Sequence, residues 1–132
     1  MDMKDIFNNN NTIAVYGMSA NTYKAAHNVP VFMQKQGYKI IPVNPHAEVI
    51  ANEKVYRRID EIPDTIDILN VFRPSEEALE VVEYAVERHR AKGDIKLIWL
   101  QEGIVNEDAK KLAEDNGIEF IQDKCMLKEF VR

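Results

Sequence analysis

Short runs of apolar and β-branched residues alternate along this chain with segments whose apolar residues recur every three or four positions. The first pattern predicts strands and the second predicts helices. The runs are nearly continuous in apolar residues, which is typical of strands covered by helices on both faces of a sheet. The five main predicted strands lie at residues 13–16, 38–43, 66–72, 95–100 and 118–121.

Helical segments separate most of these strands. We also expect a short helix near residues 2–7 and an edge strand near residues 54–56. The predicted helices are one marked by Val29, Phe32 and Met33 that ends at Gly37, a long one over about residues 75–91, and one marked by Ala109, Leu112 and Ala113 that ends at Gly117.

Pro30 lies inside the first helical pattern. In a regular helix its ring would clash with the carbonyl of Ala26, and its nitrogen has no hydrogen to donate. We therefore expect this helix to begin late or to be kinked.

Strands that alternate with helices predict a parallel sheet with right-handed crossovers. We expect an α/β fold of three layers, with helices on both faces of a five-stranded parallel sheet in the order 3-2-1-4-5. The 132 residues are predicted to form one domain, residues 1–132. A chain of this size buries roughly two thirds of its unfolded surface without needing disulfide or metal crosslinks.

The net charge of -5 excludes the overall basic field that nucleic-acid-binding proteins use to attract phosphates. Any bound anion must therefore be held by a local site. A single cysteine excludes an internal disulfide and a cysteine-rich zinc site, and it is typical of a reducing compartment. The acidic N-terminal residues are followed by no long apolar stretch, which predicts a cytoplasmic protein without a signal peptide or membrane span.

The loop after the first strand carries the clearest chemical signal. A strand that ends at a glycine and leads into a helix favours phosphate binding, because free helix N–H groups and the helix dipole attract anions. The dinucleotide fingerprint G-x-G-x-x-G needs three glycines, whereas this loop has one, which disfavours NAD. Ser19, Asn21 and Thr22 fit a helix cap equally well. The candidate phosphate contacts are Gly17, Ser19, Ala20, Asn21, Thr22 and Lys24.

The other loops at the carboxyl ends of the strands should face the same crevice. An NAD site would place Asp or Glu after the second strand for the ribose hydroxyls, but Asn44 and Pro45 stand there. The prolines around Asn44 predict either a rigid wall for adenine or ribose, or a simple structural turn. Arg73 follows the third strand and is either a phosphate ligand or the partner of Glu76 or Glu77 in a surface ion pair.

The sequence offers little catalytic chemistry. Glu102 is a lone carboxylate to which the pattern ties no histidine or second acid, and His27, His46 and His89 lack metal-ligand spacing. We therefore predict neither a metal site nor a catalytic constellation. Cys125 follows the last strand at a predicted helix start, where it is either a reactive thiol or a small packed residue.

In combination, several blocks of this chain resemble the small stand-alone CoA-binding proteins, which are similar to the N-terminal CoA-binding domain of the succinyl-CoA synthetase alpha subunit. The resemblance covers about residues 12–129. The blocks that carry it are Gly17-Met18-Ser19, Gly37-Tyr38-Lys39-Ile40-Ile41-Pro42-Val43-Asn44-Pro45, Asp67-Ile68-Leu69-Asn70-Val71-Phe72-Arg73, Trp99-Leu100-Gln101-Glu102-Gly103-Ile104 and Asp123-Lys124-Cys125.

This resemblance implies a Rossmann-like fold with CoA lying across the crevice. The phosphorylated histidine of the synthetase belongs to a second domain, so its reaction is not implied here. The chain departs from the family pattern at Arg57-Arg58, where Pro-Ser is more usual. The implied contacts are Ser19 to Thr22 and Lys24 with the phosphates, Asn44, Pro45, Phe72 and Arg73 with the nucleotide, and Leu100, Gln101 and Glu102 with pantetheine.

The sequence thus predicts a protein that binds CoA or an acyl-CoA, without nucleic-acid or membrane partners and without evident catalytic machinery. An NAD(P)-binding domain with a redox or regulatory role is the alternative, and the missing glycines and the missing acid after the second strand argue against it. A third hypothesis is a domain that binds a protein partner and no nucleotide.

Overall fold

The computed structural model describes residues 2–132, and within them five strands form one parallel sheet. Its central strand pairs are short and apolar, which suits strands with helices on both faces. A separate two-stranded hairpin follows the second strand of the sheet. The strands are β1 (Thr12–Tyr16), β2 (Lys39–Val43), β3 (Val49–Ile50), β4 (Glu53–Lys54), β5 (Ile68–Val71), β6 (Leu97–Leu100) and β7 (Glu119–Ile121).

The order across the sheet is β2-β1-β5-β6-β7. Numbered over these five strands alone it is 2-1-3-4-5, whereas we predicted 3-2-1-4-5. The difference lies in the edge segment predicted near residues 54–56, because Tyr56 forms a parallel bridge with Val43 of β2. Counted as the third strand, this segment gives the order 3-2-1-4-5-6. The predicted α/β fold with a five-stranded parallel sheet is confirmed.

The described chain also contains five α-helices and two short 3-10 turns, of which α1 precedes the first strand and α5 follows the last. The predicted N-terminal helix and the three internal helices are confirmed, with somewhat shifted ends. The helices are α1 (Met3–Asn9), α2 (Ala25–Lys35), α3 (Ala78–Lys92), α4 (Glu107–Asp115) and α5 (Met126–Val131), and the 3-10 turns are Ile59–Glu61 and Ser75–Glu77. No helix within residues 2–132 is long and apolar enough to cross a bilayer.

Alternate residues along each strand point to opposite sides of the sheet. On one side Ala14 and Leu69 pack with residues of α3 and α4 in one apolar core. On the other side Ile13 and Trp99 pack with residues of α1, α2 and α5 in a second core. Trp99 is fully buried, and its indole N–H donates to the carbonyl of Lys124 at 2.8 Å. The sheet is therefore the shared wall of two hydrophobic cores.

The expectation of a late start for the first helix is wrong. Helix α2 begins at Ala25, five residues before Pro30, and continues through it to Lys35. The physical reason lies outside the helix. The carbonyl of Ala26, which Pro30 leaves without its helical donor, accepts the backbone N–H of Ser19 at 3.1 Å. A loop residue thus supplies the hydrogen bond that the proline cannot make.

A buried ion pair holds the connection between β2 and β5 against α3. The guanidinium of Arg88 donates to the carboxylate of Asp94 at 2.9 Å, and both side chains are at least 94% buried. The same guanidinium donates to the carbonyls of Ile62 and Asp64, at 2.9 and 2.8 Å. Asp94 in turn accepts the N–H of Ile66 at 3.0 Å. Because every charged group has partners, the pair is tolerated in the core.

Removing Arg88 should therefore destabilise the fold strongly. The substitution Arg88→Ala leaves the Asp94 carboxylate and the backbone carbonyls buried without donors, and we expect a loss of about 3–5 kcal/mol in the free energy of unfolding. Urea denaturation followed by circular dichroism measures it. Arg90→Ala on the same helix removes only an exposed contact with Asn116 and serves as the control. Equal losses in both variants would contradict the role of the buried pair.

Candidate functional site

The turn after β1 brings the ends of three neighbouring strands together. Gly17 has φ of +88°, and its N–H donates to the carbonyl of Val43 at the end of β2, at 2.9 Å. A Cβ atom on Gly17 would lie 2.8 Å from the carbonyl oxygen of Phe72, just after β5. Both the positive φ and this close approach require glycine. The predicted glycine turn is thus a backbone contact between the ends of β1, β2 and β5.

The loop from Gly17 to Lys24 is held by its own polar groups. The N–H of Asn21 donates to the hydroxyl oxygen of Ser19 at 3.0 Å, and the N–H of Tyr23 donates to the side-chain oxygen of Asn21 at 2.9 Å. These bonds use the acceptor atoms of both side chains but leave the Ser19 hydroxyl hydrogen free to donate. The loop is therefore preordered and can still donate a hydrogen bond to an anion.

Three further bonds fix this loop to its surroundings. The amide of Asn44 donates to the carbonyl of Met18 at 2.8 Å. The ring of His27 lies with Nδ1 2.8 Å from the carbonyl of Ser19, so that nitrogen carries the proton. The third is the bond from the N–H of Ser19 to the carbonyl freed by Pro30. The position of the loop is set by a strand end and by helix α2.

The side chain of Asn44 mainly makes hydrogen bonds within the protein. Besides its bond to Met18, its side-chain oxygen accepts the N–H groups of His46 and Ala47, at 2.8 and 2.9 Å. The same side chain thus shapes the loop after β2 and ties it to the loop after β1. With both of these N–H groups on its oxygen, Asn44 is poorly placed to accept the two ribose hydroxyls that an NAD site must hold.

A cleft of about 650 Å³ opens between these loops at the carboxyl ends of the strands. Its size falls in the range of small-molecule sites. Seven of the sequence-predicted site residues line it together with nine others. The predicted ones are Gly17, Ser19, Lys24, Asn44, Pro45, Phe72 and Arg73. The residues that were not predicted to contact a ligand include Tyr16, His46, Arg57, Glu77 and Glu80.

The charges of the cleft are partly paired. Arg73 donates to both carboxylate oxygens of Glu77, each at 3.0 Å, so the ion-pair alternative for this arginine is the one the structure shows. Lys24 pairs with no carboxylate of residues 2–132. Burial, followed by the charge of Glu80, raises the pKa of the Tyr16 hydroxyl, which therefore stays neutral at physiological pH.

A second depression of about 600 Å³ continues the cleft on the side of β6 and α5. The two hollows share Ala26, Phe72 and Arg73. Gln101 and Glu102 line the second one, as predicted for the far side of the crevice. The Gln101 oxygen accepts the N–H of Met126 at 3.3 Å, and Glu102 pairs with Lys128 at 2.9 Å.

Four predicted contacts lie outside the lining of both hollows. Leu100 is fully buried in the core under α3 and α4, because alternation along β6 directs its side chain to that face of the sheet. Ala20, Asn21 and Thr22 are exposed at the tip of the first loop. The loop tip can approach a ligand only from the rim of the cleft.

Cys125 immediately precedes α5 and is 91% buried at the wall of the second depression. The predicted position at a helix start is confirmed. Within the part of the chain that the structure describes, no group of three or more histidine, cysteine, aspartate or glutamate residues is arranged to hold a metal ion.

Residues 11–130 match the model of a CoA-binding domain family. The chain belongs to this CoA-binding domain family. It is 37% identical to the uncharacterized protein YneT of Bacillus subtilis over 125 residues, which is 95% of this chain and 89% of that protein.

Other known proteins resemble the chain in fold or in sequence. A solved structure from Thermus thermophilus superposes with a TM-score of 0.90 at 29% identity and covers 100% of this chain and 98% of its own. The ADP-forming acetate–CoA ligase II of Archaeoglobus fulgidus is 34% identical over 83 residues, which is 61% of this chain and 12% of the ligase. The chain is thus similar to a short segment of a much larger CoA ligase.

The bond between Ser19 and Ala26 can be tested through Pro30. In Pro30→Ala, the N–H introduced at position 30 competes for the Ala26 carbonyl and weakens the anchor of the loop. Since one hydrogen bond contributes about 0.5–1.5 kcal/mol, we expect the Ser19 amide to exchange hydrogen roughly two to ten times faster, measured by NMR. The Gly17 amide, which bonds to Val43, is the internal control. An unchanged Ser19 rate would show that Pro30 has no part in holding the loop.

Proposed function

We propose that the chain binds CoA or an acyl-CoA in the cleft and in the depression that continues it, and that it acts by binding. The observation that carries this proposal is the continuity of the two hollows through Phe72 and Arg73. The cleft has an ordered loop and cations, and the second depression is a shallower extension of it. CoA has a matching two-part form, because it consists of an anionic nucleotide joined to a long thin pantetheine arm.

The residues of the first hollow suit the nucleotide. The Ser19 hydroxyl can donate to a phosphate oxygen, and Lys24 supplies an ammonium group without a carboxylate partner in the described chain. Pro45 and Phe72 offer flat apolar surfaces that suit adenosine. The Glu77 carboxylate neutralises the charge of Arg73, but its bonds come from Nε and Nη2, so the Nη1 donors of Arg73 remain for a phosphate.

The second hollow suits the pantetheine arm. Its wall combines the apolar side chains of Ile104 and Phe72 with the amide of Gln101. An amide-containing chain needs such a mixture of apolar surface and hydrogen-bonding groups. Cys125 and Lys128 lie at the same wall. We assign the nucleotide to the cleft and the arm to this depression.

A ligand comparison tests the proposal. At a concentration of about 100 times Kd, a ligand of the folded state adds roughly 2.7 kcal/mol of stability, which raises Tm by several degrees in a domain of this size. We expect CoA and acetyl-CoA to give this shift in a thermal-denaturation assay, with NAD, NADP and ATP at equal concentrations giving less. A larger shift with NAD or NADP would overturn the assignment in favour of a dinucleotide.

Two substitutions test the cations of the cleft in opposite directions. Lys24→Ala removes a cation near the phosphates and should weaken CoA binding by about 1–3 kcal/mol. Glu77→Gln releases Arg73 from its ion pair and should strengthen CoA binding. Isothermal titration calorimetry measures both, with Lys35→Ala at the other end of α2 as the control. Weaker binding in Glu77→Gln would mean that Arg73 needs its carboxylate partner in order to face the ligand.

A further inference from the structure

The wall of the cleft at the outer edge of the sheet carries an arginine with an unusual set of partners. Arg57 follows the bridge between Tyr56 and Val43, beyond the edge strand β2. Its guanidinium donates to the carbonyl of Pro45 and forms no ion pair with a carboxylate of the described chain. A guanidinium has five N–H donors, so most of them remain for a ligand.

The two neighbouring arginines differ in this respect. Arg73, which also lines the cleft, is paired with Glu77. Arg58 makes two bonds to Asp60, at 3.0 and 2.8 Å, and is absent from the lining of the cleft. Of the arginines at the cleft, Arg57 is thus the one whose charge no carboxylate of residues 2–132 neutralises by direct contact.

The backbone before Arg57 is firmly held. The N–H of Tyr56 donates to the carbonyl of Pro42, and the carbonyl of Tyr56 accepts the N–H of Asn44, both at 3.0 Å. These bonds join the residue before Arg57 to the end of β2, next to the Asn44 side chain that shapes the cleft. A side chain on such a support loses less entropy when it binds a ligand than one on a loose loop.

Arg57 also lies where two hollows meet. A hollow of about 350 Å³ between Arg57 and α3 shares Tyr16, Arg57 and Glu80 with the cleft. The cleft therefore has one unpaired cation at the first loop, Lys24, and a second at its opening into this hollow. The carboxylate of Glu80 at the same opening disfavours a loosely placed anion, so binding there needs a group that reaches the guanidinium directly.

CoA carries negative charge at two places, the diphosphate and the 3′-phosphate of its ribose. We propose that Arg57 binds the 3′-phosphate and makes this chain selective for CoA over dephospho-CoA. The proposal rests on the proposed function and on the assignment of the diphosphate to the loop with Lys24. The planar guanidinium suits a terminal phosphate because it can donate two parallel hydrogen bonds to its oxygens.

Titration calorimetry with two ligands tests this role. The wild-type chain should bind CoA at least ten times more tightly than dephospho-CoA. Arg57→Ala should lose about tenfold in affinity for CoA and less than twofold for dephospho-CoA. The matched control is Arg58→Ala, which removes the adjacent, ion-paired arginine and should leave both affinities unchanged. Circular dichroism checks that the variants are folded.

The possible failures are distinct. Equal losses for both ligands in Arg57→Ala, or the same losses in Arg58→Ala, would overturn the assignment of Arg57 and leave CoA binding intact. Wild-type affinity of Arg57→Ala for CoA would do the same. A wild-type chain that binds neither ligand would overturn the proposed function together with this inference.

Discussion

The backbone contact at Gly17 is the constraint on which the cleft depends. The ends of β1, β2 and β5 meet there with no side chain between them. A Cβ atom on Gly17 would lie 2.8 Å from the Phe72 carbonyl oxygen, so only glycine fits. This close approach lets the loop after β1 turn over the end of the sheet. Asn44 and the Ala26 carbonyl then fix the loop from two sides. Backbone contacts thus determine the shape of the cleft, and its charged side chains project from loops that these contacts hold in place.

Local patterns were enough to predict the five strands of the parallel sheet, the N-terminal helix, the three internal helices and the edge of the sheet that carries the candidate site, but not the hairpin of β3 and β4. Apolar runs and helical spacing reflect burial on a sheet or on one side of a helix, and these are repeated along each element. The outcome at Pro30 depends on a single distant donor, the N–H of Ser19, which no periodicity encodes. The strand order depends on whether the segment at Tyr56 is counted as a strand. Tyr56 forms a single bridge to β2, and so short a segment has only a weak sequence pattern.

The candidate site was predicted by loop but less well by side chain. Parallel strands bring their carboxyl ends together, so Ser19, Lys24 and Arg73 were placed at one crevice from topology alone. The face of the sheet to which Leu100 points depends on which residues of the four-residue strand β6 face each side, and this places Leu100 in the core. The pairing of Arg73 with Glu77, four residues along the chain, was one of the two alternatives that the sequence offered. The bond of Arg57 to the Pro45 carbonyl depends on groups that meet only in the folded chain, and spacing along the chain does not record it.

Trp99 gives the molecule an optical property. It is the chain's single tryptophan, it is fully buried, and its indole N–H is bound to the carbonyl of Lys124, directly before Cys125 at the wall of the second depression. Its fluorescence therefore comes from one environment, linked by a hydrogen bond to the loop between β7 and α5. A displacement of that loop that breaks this bond would change the emission of the indole, so the chain carries an intrinsic spectroscopic reporter next to the proposed ligand site.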